Sequence, residues 1–199
     1  MKKIALTSLL AVFAVSGANA ATNYFVGGAA GLSLGNEHKT VLAVAPEFGW
    51  KLNADWDMGV AAHFGYEHKD AYGEAKIPGK SYDYGAGMFA RYKVAQFGDV
   101  KLLLKGTAGV NLLTFSPDEE GASTETATML SADVIPMITY DISEAFTLYA
   151  NLNFLGAHAG YTFKNDKMDI AKGWAVSAYT DTANVANTAD FQIGFNYNF

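Results

Sequence analysis

The chain has 199 residues, half of them hydrophobic, with 20 glycines, 13 phenylalanines, 11 tyrosines, 4 prolines and no cysteine. The missing thiols exclude a lipoprotein anchor, disulfides and thiolate metal sites, and the net charge of −6 argues against nucleic acid as a partner. After residue 20 no stretch approaches the ~20 apolar residues of a membrane helix, so the remainder is either soluble or crosses as strands.

The first predicted element is an export signal. Lys2 and Lys3 give a positive start, Ile4 to Val15 an apolar run, and Ala18-Asn19-Ala20 the small residues that a signal peptidase needs. The run is too short to span comfortably. Residues 1–20 therefore read as a cleaved signal peptide, with Ala18 and Ala20 as its cleavage residues, and residues 21–199 as one domain. Cleavage removes two lysines and no acid, which leaves 12 basic against 20 acidic residues, a net −8.

Period-two segments then follow one another, which is the signature of strands with one apolar face. The first carries Tyr24, Val26, Gly28, Ala30, Leu32 and Leu34 on that face. The next five run from Leu42 to Leu52, Trp56 to Tyr66, Tyr82 to Val94, Val100 to Leu112 and Leu130 to Tyr140, with the apolar face always at even positions. A seventh runs from Phe146 to Phe154. The eighth is the C-terminus: Phe191, Ile193, Phe195, Tyr197 and Phe199 lie on one side, Gln192, Gly194, Asn196 and Asn198 on the other. No charge falls on the apolar face, where each would cost ~2–4 kcal/mol at a bilayer midplane.

The opposite face holds Glu47, His63, Arg91, Lys105 and Asp133 among many glycines. A soluble eight-stranded barrel shows the same alternation turned inside out. Glycine suits the crowded interior of a small, curved barrel better than a solvated surface. The apolar face also places Tyr24, Trp50, Trp56, Tyr92, Tyr140, Phe146, Tyr197 and Phe199 at one level and Phe64, Tyr66, Tyr82 and Tyr84 near another, as two membrane interfaces require. The sequence thus predicts an all-β, eight-stranded antiparallel transmembrane barrel of the bacterial outer membrane.

The turns at 53–55, 95–99 and 143–145 are short, as periplasmic turns are, and the connections at 35–40, 67–80, 115–126 and 157–187 are longer. Within the last, 167–172 is a candidate helix, and Trp174, Val176 and Ala178 a candidate strand continuation. Pro46 and Pro136 fall mid-strand, where a bulge at each is the expected remedy.

On the cleaved signal, the eight strands, the short and long connections, and the terminal Gln192, Gly194, Tyr197 and Phe199, residues 21–199 resemble the small outer-membrane barrels typified by OmpX and the membrane domain of OmpA. The resemblance implies a monomer inserted by the outer-membrane assembly machinery with periplasmic chaperones. It implies contact with outer-membrane lipid and lipopolysaccharide, and those four terminal residues as the assembly signal. No cofactor is expected.

Function then rests on lumen and loops. Glu47, His63, Arg91, Lys105 and Asp133 should lie near mid-depth, and charges so confined must pair. Lys105 is expected with Asp133, and Arg91 with an acid across the lumen. The leading reading is a structural or surface-interacting barrel closed by ion pairs, its outer loops available to host surfaces or phage. A narrow or gated pore is the alternative. A lipid A-modifying enzyme is a third reading, with His158 expected to face lipid but no companion acid there. Asp118, Glu119 and Glu120 read as solvated acids, not a metal site.

Overall fold

Alternation becomes strand in each of the eight segments. The computed structural model describes residues 23–34, 40–72, 77–118, 124–163, 173–179 and 191–199. The signal segment, with Ala18 and Ala20, lies outside the described residues, as do residues 167–172.

The strands are β1 (Tyr24–Leu34), β2 (Thr40–Lys51), β3 (Trp56–Tyr72), β4 (Ile77–Phe97), β5 (Val100–Pro117), β6 (Glu125–Asp141), β7 (Phe146–Leu152), β8 (Gly156–Thr162), β9 (Gly173–Tyr179) and β10 (Phe191–Asn198). All pair antiparallel. β1 to β7 pair in sequence, β7 pairs with β10, and β10 returns to β1, which closes a ring of eight. The expected barrel is the fold. β8 and β9 form a hairpin that prolongs its wall, with β8 on the first half of β6 and β9 on β8.

The barrel wears its apolar side chains outside. Val60, Met88, Val110 and Val134 are 48%, 62%, 46% and 46% exposed, while Glu47, Arg91 and Lys105 inside are 3%, 1% and 4% exposed. A soluble barrel would invert this, and lipid is the solvent that such a wall requires. Aromatic pairs rim both ends. Trp56 and Tyr92 (4.8 Å between centroids) and Phe146 and Phe195 (5.6 Å) mark the short-turn end. Tyr66 and Tyr82 (5.4 Å) mark the other.

The short turns are built from local chemistry. Asn53 Oδ1 accepts from the backbone N–H groups of Asp55 and Trp56 at 2.8 and 2.9 Å, closing an Asx turn. Ser143 Oγ accepts from the Phe146 N–H at 3.1 Å. Gly98 takes φ 62°, a left-handed position that glycine fills without strain. At the far end the strands overrun their expected ends. β3 reaches Tyr72 and β4 starts at Ile77, so most of 67–80 is a prolonged hairpin. Trp174, Val176 and Ala178 do continue as strand, in β9.

The seventh wall strand departs from simple alternation. It breaks at Asn153–Leu155, where the Leu155 N–H donates to the Leu152 carbonyl at 3.2 Å. Met137 of β6 faces Asn151 while Val134 faces Ala157, so three steps along β6 match six along its partner. An odd surplus reverses which side chains face outward. Ala157 is accordingly exposed and His158 turns into the lumen, the reverse of its expected lipid-facing position. The two prolines are absorbed by gaps in pairing, not by a bulge in their own strands. The β2–β3 ladder keeps register but skips Ala45 and Pro46. The pairing of β6 with β8 and β7 skips Ile135 and Pro136, opposite the break.

Candidate functional site: the charged layer in the lumen

Midway down the barrel, four charged side chains from four strands meet. Glu47 (β2) accepts from Arg91 Nη2 (β4) at 3.0 Å and from Lys105 Nζ (β5), and the Tyr149 hydroxyl (β7) donates to it at 3.3 Å. Asp57 Oδ1 (β3) lies 3.1 Å from Arg91 Nε. That contact is Coulombic, since the two atoms miss hydrogen-bond geometry. Two acids thus balance two bases. The Asn196 side-chain oxygen, in the amide orientation its neighbours require, accepts from Arg91 Nη1 at 2.9 Å.

Three aromatic rings complete the layer. The Arg91 guanidinium carbon sits 4.7 Å from the Phe25 centroid, 4.6 Å from Phe89 and 5.7 Å from Tyr149. Lys105 Nζ is 5.3 Å from Phe89. Such cation–π contacts are worth about 2 kcal/mol when desolvated. Each ring lies beside a glycine directly across the sheet: Phe25 faces Gly49, Phe89 faces Gly59, and Tyr149 faces Gly194. A Cβ on any of these glycines would strike the ring. Glycine therefore lets each ring lie against the wall and leaves the axis to the guanidinium.

This layer divides the lumen in two. Toward the short turns is a vestibule of about 660 Å³, where Lys93 pairs with Asp55 at 3.0 Å and Lys101 with Asp141. Toward the long connections is a chamber of about 280 Å³. Its space comes from successive cross-strand partners that are all small: Ala61, Gly87, Gly109 and Ser131.

Of the five residues expected at mid-depth, Glu47, Arg91 and Lys105 come together in the layer, with Glu47 as the acid for Arg91. His63 and Asp133 instead line the outer chamber. The expected Lys105–Asp133 pair is not made. Lys105 reaches across to Glu47, and Asp133 Oδ1 holds His158 Nδ1 at 2.7 Å. Asp133 sits opposite Thr107, while Lys105 sits opposite Ile135, so the two are offset by one inward step. His63 lies 3.4 Å from Asp83. The expectation missed Phe25, Phe89 and Tyr149. Their signal was aromatics at odd positions, on the face otherwise given to glycine and charge.

The terminal residues are spread over both faces of β10. Gln192 accepts from the Asn151 amide at 3.3 Å, Gly194 lies under Tyr149, and Tyr197 and Phe199 stack on the outer rim with centroids 6.4 Å apart.

No family model matches the chain, and no curated protein sequence matches it. Among solved structures it is similar to Neisserial surface protein A, at 16% identity and a TM-score of 0.53, over 91% of this chain and 100% of that one. Ail, the attachment invasion locus protein of Yersinia pestis, matches at 16% identity and a TM-score of 0.40, over 89% and 97%. A major outer membrane protein of Thermus thermophilus matches at 16% and 0.44, over 90% and 100%. The first comparison establishes the fold: a small antiparallel barrel of the outer-membrane type.

Proposed function

We propose that the chain, exported by cleavage after Ala20, is an integral outer-membrane barrel whose lumen is closed. Its role is that of a scaffold that holds its long outer connections at the cell surface. One observation supports this reading: the Glu47–Arg91–Lys105–Asp57 layer with Phe25, Phe89 and Tyr149, in which Glu47, Arg91 and Lys105 are buried between the two chambers. A buried charge left without its partner is strongly unfavourable, which holds the four charges together. On the same proposal Gln192, Gly194, Tyr197 and Phe199 are what the assembly machinery reads. Chemistry on lipid loses its histidine, because His158 faces inward.

A pore is the second reading, favoured by the chambers on either side of a single closing layer. Single-channel conductance of the refolded protein in a planar bilayer separates the two, beside Arg91→Ala and Lys105→Ala. The closed scaffold predicts a silent wild type whose heat-dependent gel shift proves insertion. Discrete wild-type openings, changed by either variant, would establish a gated path instead.

A further inference from the structure

We propose that the outer chamber is a binding site for a small hydroxyl-rich cation, with the chemistry of an amino sugar. The inference goes beyond a closed lumen, because it concerns only the compartment above the closing layer. That compartment is hollowed by a row of small inward residues on four neighbouring strands, while the wall below is filled by rings. Its volume of about 280 Å³ lies just under the range of drug-sized sites, which starts at roughly 300 Å³, and so suits a small ligand.

The polar groups define what fits. Asn151 lines the chamber and is 2% exposed. Its Nδ2 donates to Gln192, but its Oδ1 is buried with no hydrogen-bond partner. A buried acceptor in that state calls for a donor, and a ligand hydroxyl supplies one when the Asn151 amide turns toward the chamber. Across the chamber Asn111 Nδ2 donates to Ser131 Oγ at 2.9 Å, which leaves the serine O–H free to donate.

Charge narrows the choice further. Beside Glu47, which Arg91 and Lys105 hold, two further carboxylates, Asp83 and Asp133, line the chamber, and their ionic neighbours are His63 and His158. Lys105, the one lysine in its lining, is held by Glu47. An ammonium group is favoured there and a carboxylate repelled.

Glucosamine, glucose and glucuronate share one ring shape and differ in charge, so they are the probes. Each is titrated into isotope-labelled protein in lipid nanodiscs, with the amide NMR signals of Asn111, Ser131 and Asn151 as the readout. Saturable shifts are expected, tightest for glucosamine and weaker by about tenfold for glucuronate. Asp133→Asn, which keeps shape and removes charge, should bring glucosamine close to glucose. Asn151→Leu should weaken all three, and Ser131→Ala takes its place if that variant lacks the heat-dependent gel shift of a folded barrel. Absence of saturation with every probe would overturn the proposal. So would glucuronate binding as tightly as glucosamine, or an unchanged preference in Asp133→Asn.

Discussion

Glu47 is the acceptor that Arg91, Lys105 and Tyr149 share, and its side chain is wholly buried. Glu47→Gln would leave two cations in a low-dielectric space with only Asp57 against them. The expected loss is roughly 3–5 kcal/mol, read from urea unfolding of the refolded barrel. Asp57→Asn should cost less, because Asp57 is the more exposed of the two acids and, among the described residues, pairs with Arg91 where Glu47 pairs with both Arg91 and Lys105. Gly194 belongs to the same scale. The sequence reads it as part of an assembly signal, yet a Cβ there would strike the Tyr149 ring and the Gly28 carbonyl. Gly194→Ala should therefore destabilise the purified barrel by about 1–3 kcal/mol with no assembly machinery present. Tyr149→Ala should absorb part of that penalty, so the double-mutant cycle should be less than additive. Full additivity would mean that the ring and the glycine are not coupled.

Among elements, the divided seventh strand matters most. Three extra residues at Asn153–Leu155 decide whether His158 meets lipid or Asp133. The chain has no cysteine, so single-cysteine labelling reads this directly. A spin label on Ala157→Cys should be relaxed by lipid-soluble oxygen, and one on His158→Cys by a water-soluble reagent. Reversed accessibilities would mean that the wall keeps one alternation through to Thr162. Pro136 lies opposite the same break, where its missing N–H removes no bond to β7 or β8.

For the molecule as a whole, the decisive property is that the apolar face points outward. Leu104, 43% exposed on the outer wall, should tolerate arginine poorly, at a cost of ~2–4 kcal/mol if it lies near the midplane of lipid. A barrel in water would register little change. Unfolding of Leu104→Arg measured in bilayers distinguishes the two environments.

How much of this was legible depended on range. Strict alternation in Phe191–Phe199 and in the six segments from Tyr24 to Tyr140 encodes strand and facing together, because a pleated chain puts successive side chains on opposite sides. The sequence by itself therefore determined the antiparallel wall, the polar lumen, the aromatic rims and the short turns of Asn53 and Ser143. It named Glu47, Arg91 and Lys105 as inward charges but paired Lys105 with the wrong acid, since sequence position ranks depth along one strand only. Barrel shear offsets each strand from the next, and the lumen is narrow enough for side chains to meet across it. Those two features gave Lys105 to Glu47 instead of Asp133, and set Phe25, Phe89 and Tyr149 against their glycines. Tertiary structure also decided the facing of His158. A three-residue irregularity leaves little mark in hydrophobic pattern where the residues after it, Gly156, Ala157, Ala159 and Gly160, are glycine and alanine.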